Sequence, residues 1–282
     1  ALGCLVARRP PRSTLFPCTT LFRSGLYTQQ PGREWRSVED TTRDPIVAAR
    51  KAKPFASIAR GEDYYNEGAL VWLEADQIIR RGTNGRKGLD DFARGFFAAR
   101  GDGQPQSTYT FDDVVAALNG VYPHDWTAFL RDRMEEPGQP APLAGIEAAG
   151  YQLVWKPDPN PYDTGRMDYT RSLSLYHSLG VTIDRDAKVT TTRWDSPAFA
   201  VGIVNGTRIV GVNGVAYDAE RLKKAITGAK GGNRPIELVV QRGDAIRTVQ
   251  VSYNGGLRWP WLERAGTAGA PLDALLAPRR RK

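Results

Sequence analysis

Residues 63–81 read DYYNEGALVWLEADQIIRR. Leu70, Val71, Trp72, Leu73, Ile78 and Ile79 cover most of the circumference of a helix here, and a helix apolar nearly all round is a buried one. It stops at Arg80-Arg81-Gly82, basic residues followed by glycine, as helix ends prefer. Next along the chain, Leu89, Phe92, Ala93, Phe96 and Phe97 recur at i, i+3, i+4, i+7 and i+8, an amphipathic helix with those residues inward. Thr110 caps a helix carrying Val114, Val115 and Leu118. Pro123 opens another with Trp126, Phe129 and Leu130. Residues 63–135 therefore read as four clustered helices.

On either side the pattern changes. Residues 25–62 are punctuated by Pro31-Gly32, Asp44-Pro45 and Lys53-Pro54. They read as irregular chain with short helical turns, and so long an irregular segment packs against something else. Pro-rich pieces at 135–142 and 154–162 put a boundary near 157–170. Residues 175–254 then carry short β-type runs at 181–184, 208–212, 236–241 and 248–253. Gly243-Asp244 marks a hairpin. One helix at 219–227 interrupts them, with Leu222, Ala225 and Ile226 inward. The expected fold class is α+β: a helical part over 25–160, a small β unit over 165–256 and a C-terminal tail over 257–282.

The chain has 282 residues, 41% hydrophobic and 25% charged, which is globular composition. No run approaches the ~18–20 apolar residues of a membrane span, so none is expected. The net charge of +8 comes from 39 Lys and Arg against 31 Asp and Glu. Its location decides what it means. Arg8, Arg9, Arg12 and Arg23 lie in residues 1–24, and Arg279, Arg280, Arg281 and Lys282 close the chain, with no acid in either segment. The residues between are neutral, so a nucleic-acid partner is not expected. Both cysteines, Cys4 and Cys18, also lie in the first 24 residues, so the body has no disulfide framework and no thiolate metal site. Residues 1–24 have no periodicity and their apolar start precedes the arginines, the reverse of a secretory signal. They read as a non-native leader, the alternative being an ordinary disordered one, and the native chain reads as starting mid-protein near Gly25.

Local chemistry is sparse. His124 and His177 stand apart, outside any His-Glu-x-x-His pattern, and read as surface or packing residues. There is no Gly-x-Ser-x-Gly elbow and no Walker loop. The informative pattern is Tyr64-Tyr65-Asn66-Glu67-Gly68-Ala69 at the start of the buried helix. A phenol fixed there can donate a hydrogen bond to an oxyanion without reorganising. The competing reading of the two tyrosines is packing.

Larger stretches resemble the glycyl aminopeptidase family of zinc metallopeptidases. They are Pro31-Gly32-Arg33-Glu34-Trp35-Arg36, Asp40-Thr41-Thr42, Asp44-Pro45-Ile46, and Glu62-Asp63-Tyr64-Tyr65-Asn66-Glu67-Gly68. Gly88-Leu89-Asp90-Asp91-Phe92-Ala93-Arg94-Gly95-Phe96-Phe97 and Asp125-Trp126-Thr127-Ala128-Phe129-Leu130 belong with them. The resemblance runs from about 25 to 278. It implies the C-terminal helical part of a thermolysin-like catalytic domain followed by a PDZ domain. It implies that Tyr65 is the catalytic tyrosine that stabilises the tetrahedral intermediate; relatives outside the immediate family often have Lys where Glu67 stands. It further implies zinc in the intact enzyme, with the His-Glu-x-x-His ligands and the general-base Glu N-terminal to this stretch, so that no residue of this chain binds metal. Peptides would be the substrates, and the enzyme would be exported or periplasmic.

The C-terminal unit resembles a PDZ domain through Asp195-Ser196-Pro197-Ala198 with Val201-Gly202-Ile203, and Gly206-Thr207-Arg208-Ile209 with Val212-Asn213-Gly214. Such a domain binds a peptide by strand addition. The binding strand would be 179–184, facing the 219–227 helix, with Leu179, Gly180 and Val181 as the peptide-binding residues. The carboxylate loop is reduced to Ser178-Leu179-Gly180-Val181. Two functions follow: a fragment of a zinc-dependent aminopeptidase, or a non-catalytic peptide-binding module on a helical platform.

Overall fold

The computed structural model describes residues 24–44, 55–98, 108–266 and 270–277. Residues 1–23 of the expected 1–24 leader, 45–54 with Pro45-Ile46 and Lys53-Pro54, 99–107, 267–269 and the basic end at 278–282 lie outside the described residues.

After a 3-10 turn at Pro31–Glu34, the helical part contains α1 (Val38–Thr42), α2 (Ala56–Ala59), α3 (Asp63–Gly82), α4 (Leu89–Ala98), α5 (Phe111–Val121), α6 (Trp126–Met134) and α7 (Ala144–Ala148). Val71, Ala75 and Ile79 of α3 meet Phe92, Phe96, Leu118, Trp126, Phe129 and Leu130 in one core, so the expected four helices do cluster. Thr110 caps α5 through a reciprocal pair: its hydroxyl accepts from the Asp113 N–H, and the Asp113 carboxylate accepts from the Thr110 N–H. α6 starts later than the proline suggested. Asp125, not Pro123, supplies the cap by accepting from the Ala128 N–H at 3.0 Å. Phe97, expected inward, is 63% exposed.

α3 is not apolar all round. Glu67, Glu74 and Asp76 are buried on it. Each has partners that a hydrophobic pattern does not reveal. Arg133 grips Glu74 with two bonds of 2.8 and 3.0 Å. Asp76 accepts from Arg80 at 2.6 Å and from the Leu89 N–H at 2.8 Å.

Strand β1 (Tyr151–Lys156) pairs antiparallel with β9 (Trp259–Arg264), about a hundred positions further along the chain. Helix α11 (Pro271–Leu276) follows β9 and packs back on the body. Leu262, Ala270 and Leu272 join Tyr27, Leu70, Ile146 and Tyr151 in a second core. The stretch from 257 onward thus carries a strand and a helix that close the helical part. Tyr151 donates to Asp273 at 2.7 Å, and Arg264 pairs with the same carboxylate at 2.5 Å.

The β unit is entered through α8 (Pro161–Thr170), capped by Asn160. β2 (Ser172–Leu175), β3 (Val181–Asp184) and β4 (Val189–Thr192) form one sheet in the order β2-β3-β4. After a short helix α9 (Pro197–Ala200) come β5 (Arg208–Val212), β6 (Val215–Ala216), helix α10 (Ala219–Gly228), β7 (Ile236–Arg242) and β8 (Ala245–Val251). These strands run in the order β6-β5-β7-β8. The β7–β8 hairpin turns at Gly243-Asp244, where only Gly243 has positive φ, +60°. Leu222 and Ile226 of α10 enter the core of this unit beside Leu175, Val181, Ile183, Leu238 and Val251. The whole is a mixed helix-and-sheet fold of the α+β kind. The run at 248–253 begins earlier, at Ala245. β1, β2, β4, β6 and β9 were not legible as strands.

Candidate functional site

Tyr65 lies in the first turn of α3, and that turn is unusually well fixed. The chain enters through Arg60 and Glu62, both in the left-handed region at φ +48° and +50°. Non-glycine residues hold such angles only where contacts impose them. The contacts are buried charges. Glu67 is 1% exposed and lies between two arginines, Arg33 at 2.5 Å and Arg60 at 2.5 Å. Arg60 also holds Asp63 at 2.8 Å and donates to the Arg36 carbonyl at 2.5 Å. Arg36 in turn pairs with Asp40 and Asp44, each at 2.5 Å. Arg33 reaches across to the Pro140 carbonyl at 2.9 Å.

Tyr65 itself is 57% exposed, its ring 4.5 Å from that of Tyr64. Loss of water contact, then a hydrogen bond with Tyr65, holds the Tyr64 hydroxyl above its ordinary range. The arrangement is a phenol presented to solvent from a helix start that cannot shift without breaking buried ion pairs. Sequence reasoning singled out Tyr65 but missed Arg33, Arg60 and their joint grip on Glu67. Only Asp63 and Glu67, four apart on one face of α3, could be paired by helical spacing; Arg60 lies before the helix, on chain with positive φ, and Arg33 is distant in sequence, so neither partner is signalled locally.

The second set, Leu179, Gly180 and Val181, lies elsewhere. Leu179 and Val181 are each 1% exposed. The Ser178 and Gly180 N–H groups both donate to the Leu175 carbonyl, at 3.1 and 2.9 Å. The Gly180 carbonyl accepts from Arg193 N–H at 2.7 Å. Gly180 needs to be glycine: its φ is +88°, and a Cβ would sit 2.1 Å from the Ser196 Cβ. β3 has β2 on one edge and β4 on the other.

Between the helical part and the β unit lies a cleft of about 520 Å³. One wall is a hydroxyl-rich sheet face, Ser172, Ser174, Thr182 and Thr191; α8 supplies Asp163 and Arg166, and the body supplies Gln30 and Asp63. Burial raises the Asp163 carboxyl to about 6. Burial, then the nearby Arg193 and Arg258, lowers His177 to about 3, so its ring is neutral when its Nδ1 meets the Gln29 Oε1 at 2.9 Å. His124 packs against Trp126, ring centroids 4.9 Å apart. Among the described residues no three or more His, Cys, Asp or Glu side chains are placed to hold a metal ion. The side chains described therefore do not fit a zinc site, and no chemistry is assigned to one. Nor, among them, is any helix long and apolar enough to cross a membrane.

No protein-family model matches the sequence, and no curated protein matches it. The fold does have a solved counterpart. The chain is similar to the crystal structure of an aminopeptidase N family protein from Idiomarina loihiensis, with a TM-score of 0.57 and 15% identity. The likeness covers 90% of this chain and 44% of that one, so the chain spans less than half the length of the protein it resembles in fold.

Proposed function

We propose that this chain is the C-terminal part of an aminopeptidase of the glycyl aminopeptidase kind, and that it carries the tyrosine that holds the oxyanion. The observation that carries the reading is Tyr65, an exposed phenol on a helix start locked by Arg33, Arg60 and Glu67. The fold likeness to an aminopeptidase N family protein supports it. Hydrolysis of a peptide bond places negative charge on the carbonyl oxygen, and a donor already in position stabilises that charge at no reorganisation cost. Tyr65 supplies such a donor. The zinc of the intact enzyme, its ligands and its general base would come from residues outside this chain, and the β unit would be a PDZ-like peptide-binding or docking unit.

The coding frame upstream of Gly25 tests this. Its longer product should release N-terminal residues from peptides. Tyr65→Phe should lower kcat about 10²–10³-fold with KM unchanged, the usual effect of losing one oxyanion donor. Unchanged kcat in Tyr65→Phe, or zinc-dependent cleavage by the 282-residue chain alone, overturns the proposal.

A further inference from the structure

Strand addition needs an open strand edge, and β3 has none: β4 takes one edge and β2 the other. β2 is set against β3 as an added peptide would be. It runs antiparallel, with Ser172 opposite Asp184, Leu173 opposite Ile183, Ser174 opposite Thr182 and Leu175 opposite Val181. Leu175 enters the core, 0% exposed, and Leu173 packs against the same core. The Leu175 carbonyl receives the Ser178 and Gly180 N–H groups, at 3.1 and 2.9 Å. A carboxylate at the end of a bound peptide would be met by those same donors. The chain thus presents an internal Leu-x-Leu to its own carboxylate loop.

The hold on β2 from outside is slight. No residue of α8, which leads into it, is fully buried, and its hydroxyl contact to the strand, Thr170 with Ser172 at 2.7 Å, is exposed. Tyr169 of α8 is 90% exposed, and the joint between them, Arg171, sits at φ +49°. Ser174 turns its N–H away from β3, to the Met167 sulfur at 3.3 Å. Alternation along a strand then points the Leu173 and Leu175 N–H groups toward β3.

We infer that Ser172–Leu175 occupies in cis the β3 edge that takes an extended peptide ending in Leu-x-Leu with a free carboxylate, so such a peptide binds only as β2 leaves. This rests on the PDZ-like reading of the β unit. A cis occupant weakens the apparent affinity by the fraction of molecules in which it is displaced.

The test uses the full chain in a Cys4→Ser, Cys18→Ser background and a labelled synthetic peptide ending Ser-Leu-Ser-Leu, read by fluorescence anisotropy. Leu173→Pro removes an N–H that faces β3 and should tighten binding by about tenfold or more over the unaltered β2. A Ser174→Cys/Thr182→Cys pair bridges directly opposite residues on neighbouring strands, a spacing that suits a disulfide. Oxidised, it should abolish binding; reduced, it should restore it. This second arm stands if the proline variant fails to fold. Equal affinity in Leu173→Pro and its parent, or full binding by the oxidised pair, overturns cis occupancy while leaving the peptide groove in place. No binding in any folded form, reduced pair included, overturns the PDZ-like reading and the inference with it.

Discussion

Replacing Glu67 by Gln tests whether the first turn of α3 depends on the buried charges. The carboxylate is ion-paired with Arg33 Nη1 and accepts from Arg60 Nη2, each at 2.5 Å, and Glu67, Arg33 and Arg60 are 2%, 8% and 2% exposed. Glutamine keeps one acceptor oxygen and turns an NH₂ toward the other guanidinium. One arginine then faces a donor and has lost its counter-charge without gaining water. Breaking one side of a buried ion pair costs about 3–5 kcal/mol, against a total of about 5–15 kcal/mol for a folded domain. A urea titration followed by far-ultraviolet circular dichroism should show the midpoint falling by about 1 M or more at unchanged slope. The Arg60→Met change in the same background also removes the bonds to Asp63 and the Arg36 carbonyl, and a double-mutant cycle separates that loss from the coupling of Arg60 to Glu67. A loss under about 1 kcal/mol would refute the reasoning. It would mean that Asp63 and the backbone carbonyls of Pro140 and Arg36, which also accept from these arginines, carry the hold without Glu67.

His177 is lowered to about 3 by burial. Its neutral form therefore stabilises the fold fully above the unfolded value of about 6.5, and that contribution is lost as pH falls toward 3. His177→Gln should flatten the loss of thermal stability between pH 6.5 and 4; an unchanged slope there refutes the assignment. Asp163, raised to about 6, has the opposite sign: burial favours its neutral form, and its penalty grows as pH rises from about 4 to 6. Asp163→Asn should stabilise the chain at pH 7 by on the order of 2–3 kcal/mol and have little effect at pH 4, with no gain at pH 7 refuting it. Gly180→Ala meets Ser196 at 2.1 Å in a left-handed backbone, so it should cost more than about 2 kcal/mol in a denaturant titration. Any loss of peptide binding in that variant reports unfolding first, and a variant of parental stability would refute the clash.

What the sequence revealed and what it hid divide along one physical line. Local periodicity and caps were legible: α3, α4, α5, α10 and four strands of the β unit all announce themselves within a dozen residues. Features made by distant pairing were not. β1 reads as a Pro-flanked connector because its partner β9 lies about a hundred positions away in sequence, and only the pairing of Tyr151 with Arg264 makes it a strand. β2 reads as part of a boundary because its identity depends on β3. The same holds at the site. Tyr65 could be picked out from the residues beside it. The arginines that fix it come from 33 and 60, and a hydrophobic pattern cannot say that Glu67 is buried until both are in place.

The two candidate sites share one piece of chain. Phe55 packs edge-on against Trp194 and Phe199 of the β unit, at 5.4 and 5.5 Å, and Ser57 accepts the Trp194 N–H at 2.9 Å. A few residues on, Arg60 joins the ion pairs that start α3 and set Tyr65. Trp194 directly follows Arg193, whose N–H holds the Gly180 carbonyl at 2.7 Å. Contacts therefore run without a gap from the loop at 178–181 to the helix start that presents Tyr65. A route of contacts does not by itself carry energy; a two-state element that both sites bias is also required. Under the cis arrangement the departure of β2 strips the Leu175 carbonyl from the Ser178 and Gly180 N–H groups, which acts at the loop end of that route alone.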